Sequence, residues 1–235
     1  MSSTFEITAL NETVFSVCFK QTAPYNLKSI RQHLEDLFFD LEEVTCSLNR
    51  INLFFKAPQN KFHIEQQLKS IDLKAKQNQS RSRVWEIPIC FHPSFGEDLT
   101  PLFQKNSSKI EQYKAAFLAT VFTLEFYGFL PGFGYLSGLD KALHLERKAT
   151  PSRQMAKGSV AVGGAHVGVY PQDSPGGWQC LGHSPVPWIN FDQSPYVFIQ
   201  PGDSVRFVKI DLAMHKKIAL QVEMKVYQPK LTVYD

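Results

Sequence analysis

The sequence predicts two unlike halves: a two-layer α+β domain over residues 1–91, then a mostly-β domain over residues 92–235 reached through an entry helix. Three observations carry this. Twelve of the thirteen glycines lie between Gly128 and Gly202, and none precedes Gly96. Glycine supplies positive φ angles at turns and lets backbones approach closely, so a window dense in Gly and Pro between short apolar runs marks many short strands. The first half instead spaces its apolar residues as amphipathic helices do. A chain of 235 residues that is 43% hydrophobic and 20% charged can bury a core in each half.

Residues 5–10 and 13–19 are β-prone apolar runs separated by Asn11 and Glu12, which reads as a hairpin. Ile30, Leu34, Leu37, Phe38 and Leu41 then recur on one face of a helix. Residues 44–56 read as a strand pair turning near Asn49 and Arg50, and Ile64, Leu68 and Ile71 mark a second amphipathic helix. Residues 83–91, stiffened by Val84, Trp85 and Ile87, read as a strand that completes the first domain. Helices with one apolar face need a sheet to cover, hence two layers. In the second half, Ser108 and Glu111 have the spacing of a capping box, and residues 115–118 continue that helix. Residues 160–162, 196–199, 205–210 and 219–226 are short runs between Gly, Pro, Asp and Ser clusters, the expected strands of a barrel or sandwich.

Lys and Arg exceed Asp and Glu by three, and the surplus is spread over both halves, so no nucleic-acid or membrane footprint is expected. The start lacks a basic run followed by an apolar stretch, and no apolar run could span a bilayer, which makes the cytoplasm the expected location. Cys18, Cys46, Cys90 and Cys180 are too dispersed for a zinc knuckle or a dense disulfide framework and read as buried reduced thiols. Neither a phosphate loop nor a dinucleotide fingerprint is present, and no paired-histidine metal motif, so no metal is expected. Ser137 sits one position away from a nucleophile elbow and reads as a turn residue.

Three segments look more constrained than a core requires. Residues 127–136 interleave aromatics with Gly and Pro, offering Phe133 and Tyr135 as flat walls. The bland reading is a tight turn with aromatic plugs. Residues 144–153 hold His144, Arg147, Lys148 and Arg153, cations able to grip a carboxylate or phosphate, or simply a solvated basic loop. Residues 163–184 carry His166, Tyr170, Gly176, Gly177, Trp178 and His183, where imidazoles exchange protons near neutral pH and glycines admit a ligand. Residue by residue, a core histidine or a packing tryptophan is the stronger reading, and only the combination suggests a concave polar pocket.

These segments, in this order, resemble the 5-oxoprolinase B-subunit family, also described as Kip-inhibitor-like or allophanate hydrolase subunit 1-like. The likeness rests on Gly-Phe-Leu-Pro-Gly-Phe-Gly-Tyr-Leu at 128–136, Gly-Ser-Val at 158–160, Gly-Val-Tyr-Pro at 168–171 and Ser-Pro-Gly-Gly-Trp-Gln at 174–179. Pro-Gly-Asp-Ser-Val-Arg-Phe at 201–207 and Phe-Gly-Glu-Asp-Leu at 95–99 extend it over nearly the whole chain. The resemblance implies that the second domain is a cyclophilin-like β-barrel. It also implies one component, inactive alone, of an ATP-dependent 5-oxoprolinase that opens 5-oxo-L-proline to L-glutamate with a related C-subunit and an A-subunit. ATP would bind at the partner or be shared with it. Two further readings come with the family: a Kip-type inhibitor that binds a sporulation histidine kinase, and a carboxyltransferase-like component of a urea-degrading system.

Against the family pattern, Ser152 stands where Arg is common, with Arg153 displaced by one. His166 and Val167 replace Gln-Thr, and His183 and Ser184 replace Arg-Thr. We therefore expect His144, Arg147, His166 and His183 to line one catalytic pocket, Arg147 holding an anionic oxygen and a histidine handling protons. Phe133, Tyr135, Lys148, Tyr170, Gly176, Gly177 and Trp178 are the expected substrate-binding residues.

Overall fold

The computed structural model describes residues 5–20, 27–47, 49–70 and 82–234. Two compact units divide the chain, residues 1–80 and 81–235.

In the first unit β1 (Phe5–Ala9), β2 (Val14–Phe19), β3 (Leu41–Ser47) and β4 (Arg50–Phe55) form an antiparallel sheet in the order β1-β2-β4-β3. The side chain of Asn11 closes the β1–β2 turn by accepting from the amides of Thr13 and Val14. Helices α1 (Leu27–Leu37) and α2 (Lys61–Ser70) send Ile30, Leu34, Ile64 and Leu68 into one core with Phe15, Val17, Ile51 and Leu53. The first helix stops earlier than its apolar spacing suggests, since Leu41 opens β3. Ile71 lies outside the described residues.

The second unit begins with β5 (Ser82–Cys90), not after it. This strand runs parallel to β13 (Ser204–Ile210), with Ile87 opposite Phe207, and antiparallel to β14 (Lys230–Tyr234). The expected boundary at residue 91 is thus corrected: a strand pattern shows a buried face but not which sheet owns it. The other barrel strands are β6 (Val121–Tyr127), β7 (Gly134–Ser137), β9 (Ser159–Gly163), β10 (His166–Val169) and β12 (Gln179–His183). Seven strands in the order β12-β9-β10-β7-β6-β13-β5 close through a β12–β5 pairing, and β14 is added beside β5. The result is a closed mixed barrel, as expected. A two-stranded ribbon of β8 (Ser152–Met155) and β11 (Ser174–Gly176) lies apart from it in the hydrogen-bond pattern.

Short α3 (Leu99–Leu102) precedes the entry helix α4 (Ser107–Ala119), which delivers Tyr113 and Phe117 to the barrel core. Its cap is Asn106, whose side chain accepts from the amide of Lys109, so Ser108 is not the capping residue. Two expected strands are also overturned. Residues 196–199 form none, and residues 219–226 overlap helix α5 (Leu212–Glu223), capped by Asp211 accepting from the amide of Met214. Asp203 ties the closing region together, its Oδ2 accepting from Trp85 Nε1 at 3.0 Å and the amide of Gln200 at 2.8 Å. Among the described residues no helix is long and apolar enough to cross a membrane.

Candidate functional site

Strand alternation sorts the barrel residues into two sets. Val160, Val162, Val167, Val169 and Leu136 enter the interior, while Ala161 and Tyr135 belong to a second, outer cluster with Phe133, Met155, Tyr170, Trp178 and Cys180. Phe133 meets Tyr170 and Trp178 edge to face, with centroids 5.1 and 5.3 Å apart. Glycines seat these rings. A Cβ on Gly163 would lie 2.5 Å from the Trp178 indole, and one on Gly176 would lie 2.2 Å from the Tyr170 hydroxyl. The titratable groups of interest lie at the two ends of this outer face.

At the first end, His166 opens β10 opposite Gly163, half-buried, with its ring 6.1 Å from Tyr135. Arg147 places its guanidinium 5.9 Å from the Trp178 ring centroid and makes no ion pair among the described residues. Burial pushes the His166 pKa down, Glu125 acts against this, and Arg147 and His144 reinforce it. His166 is therefore a neutral imidazole at pH 7, suited to accept a proton. Tyr135 stacks on Phe126 at 4.6 Å, and burial raises its hydroxyl pKa against the opposing pull of Arg147. Exposed His144 donates from Nε2 to the Leu139 carbonyl at 3.1 Å. Glu125 completes the shelf. It sits where the β6–β7 register shifts, between Leu124 and Phe126, and accepts a hydrogen bond from Ser137 Oγ. A bulge of this kind re-aims a side chain.

At the other end, His183 pairs with Ser159 on the far side of β9 from His166, and Ser159 lies four residues, about 13 Å of strand, from Gly163, the residue opposite His166. His183 Nε2 lies 2.7 Å from the Lys157 carbonyl, and its Nδ1 lies 2.8 Å from His215 Nε2. A carbonyl only accepts, so His183 carries its proton on Nε2, its Nδ1 accepts, and His215 donates. Phe95 packs against both rings, at 4.9 and 4.6 Å. Burial lowers the pKa of both, that of His215 to about 4, with His183 adding to the shift at His215. His183 lines a cavity of about 240 Å³ together with Ser94, Glu97, Gln154 and Cys180. It also lines one of about 180 Å³ with His215 and Trp188. The Cys180 thiol, pushed up to about 11 mainly by burial, is no nucleophile at neutral pH.

The expected single pocket is thus corrected. His144, Arg147 and His166 share one shelf with Tyr135 and Trp178, whereas His183 belongs to a separate imidazole pair. Lys148 is committed: its Nζ is 2.6 Å from Asp98 Oδ2 and 2.8 Å from Ser152 Oγ, and its amide donates to the Gly177 carbonyl. Buried Phe133 and Tyr170 are packing residues, and the space at Gly176 is filled by Tyr170 rather than left for a ligand. Burial pushes the Tyr170 hydroxyl up to about 12. Gly177 has only ordinary contacts around it, and Trp178, largely buried, presents its ring to Arg147. Sequence reasoning missed Glu125 and His215. The signal for His215 was Asp211 as a helix cap four residues before it; a bulge at Glu125 leaves no comparable mark.

The carboxyltransferase domain family, subdomain C and D, matches residues 5–199. The 5-oxoprolinase B-subunit of Haemophilus influenzae is 31% identical over 169 residues, 72% of this chain and 79% of that protein. The chain belongs to the 5-oxoprolinase B-subunit family. Among solved structures, TTHA0988 is 26% identical at a TM-score of 0.68, covering 84% of this chain and 39% of that one. This B-subunit relative therefore matches well under half of that longer protein. Urea amidolyase of K. lactis shares the fold alone, at 12% identity and a TM-score of 0.74, over 97% of this chain and 16% of that one.

Proposed function

We propose that the chain is one component of an ATP-dependent 5-oxoprolinase, opening 5-oxo-L-proline to L-glutamate together with a related C-subunit and an A-subunit. The observation that carries this reading is the shelf. A guanidinium with no ion pair among the described residues, Arg147, stands beside a neutral imidazole, His166, with aromatic walls from Tyr135 and Trp178. The substrate is a small ring with one carboxylate and one lactam. Arg147 offers a forked donor for an anionic oxygen, and His166 offers a proton acceptor. A triphosphate asks for several cations or a row of amides. The shelf offers Arg147, and the neighbouring Lys148 is held by Asp98, so the shelf does not suit ATP, and this reading puts the nucleotide at or across the contact with the C-subunit.

The test is reconstitution with the C- and A-subunits and an assay of ATP-coupled glutamate release. Arg147→Ala and His166→Ala should each lower turnover about 100-fold, the usual scale for removing one positioned charge or base. Full activity in both variants, or in a mixture lacking this chain, overturns the reading. The matched family description favours a second reading, a carboxyltransferase-like component of a urea-degrading system. It predicts biotin-dependent partners and carboxylation of urea in place of glutamate release.

A further inference from the structure

The shelf holds a group of opposite sign to which the proposed hydrolysis has so far given no task. Glu125 is turned out at the irregularity of β6, and only its Oε1 is taken, by Ser137; Oε2 makes no hydrogen bond among the described residues. Ser137, which holds Glu125, follows Leu136, and Leu136 pairs with Val167 next to His166; Glu125 and Arg147 act on the charge of His166 in opposite directions. An anion site alone has no use for a fixed carboxylate, because like charges repel there. A ligand carrying a carboxylate and a nitrogen-bound hydrogen satisfies both groups.

We propose that Glu125, fixed by Ser137, seats the ring nitrogen of the lactam and the ammonium it becomes, while Arg147 holds the substrate carboxylate. This rests on the 5-oxoprolinase reading. Hydrolysis adds one water across the amide: its oxygen joins the carbonyl carbon, the C–N bond breaks, and the nitrogen leaves with the bonding pair and gains protons. The nitrogen changes from one N–H to an ammonium with three, so a carboxylate facing it grips the opened product more firmly than the ring. The site is then selective for α-amino dicarboxylates over plain dicarboxylates.

The probes are L-glutamate and glutarate, which differ only in the ammonium, titrated into the chain alone and into the reconstituted complex by calorimetry and NMR. The unmodified protein should bind L-glutamate about tenfold more tightly than glutarate, the scale of one charge-assisted hydrogen bond. Glu125→Gln keeps the shape and an acceptor for Ser137, and should bring the two affinities together by weakening L-glutamate while glutarate, relieved of a like charge, binds as well as before or better. Ser137→Ala should give an intermediate loss. Equal binding in the unmodified protein, a preference that survives Glu125→Gln, or no binding of either probe overturns the inference. An inactive complex that keeps the Glu125-dependent preference would instead count against the enzymatic reading alone.

Discussion

Acid should weaken the second unit through the His183–His215 pair before it touches the carboxylates. His215 is buried, with 7% of its surface exposed, and its pKa is lowered to about 4 from 6.5. A base held neutral in the fold and free to charge in the unfolded chain stabilises the fold above pH 6.5, and that stability is lost as pH falls through 6.5 towards 4. For the His215 values, the loss between pH 7 and pH 5 is about 2 kcal/mol. His183, shifted the same way, adds to it. Trp85, Trp178 and Trp188 all lie in the second unit, so tryptophan fluorescence during urea unfolding reports on that unit alone. His215→Phe preserves a ring against Phe95 and removes the titration. It should cost about 1–2 kcal/mol at pH 7, by leaving His183 Nδ1 without its donor, and should flatten the dependence between pH 7 and 5. A variant that keeps the full slope, or an unmodified protein equally stable at both values, would refute the argument.

Two packing predictions accompany it. Gly163→Ala puts a methyl group 2.5 Å from the Trp178 indole, and should cost about 1–3 kcal/mol and alter the fluorescence of that tryptophan; an unchanged urea midpoint would show that the ring has room to shift. Asp98→Asn removes the charge facing Lys148 and weakens the acceptor that meets the Cys180 amide at 2.7 Å. With both side chains about one-sixth exposed, a loss of about 2 kcal/mol is expected, read by thermal unfolding and smaller in Lys148→Met, which leaves the Cys180 bond intact.

Much of the fold was legible because each pattern has a local cause. Ile30, Leu34, Ile64 and Leu68 lie on helix faces that cover one sheet, and the glycine-dense half is a barrel. Ownership of residues 83–91 was not legible, since the partner strand lies more than a hundred residues away. Residues 219–226 misled because a short apolar run suits a buried strand and a helix face alike. The site divides in the same way. His144, Arg147 and His166 come together because Leu145 bridges to Gly164, next to the turn into β10. The glycines were harder: close approach was correctly inferred, but what approaches Gly163, Gly168 and Gly176 is the protein's own Trp178, Phe133 and Tyr170.

The parallel pairing of β5 with β13 also sets a timetable for synthesis. Among the described residues every strand bonded to β5 comes from residue 179 or later. During translation this apolar strand leaves the ribosome before any of these partners and waits for them while about ninety further residues are made. Such a strand invites mispairing. Newly made chains are therefore most exposed to aggregation and most dependent on chaperones in this interval, and a stop codon between β12 and β13 should yield insoluble protein.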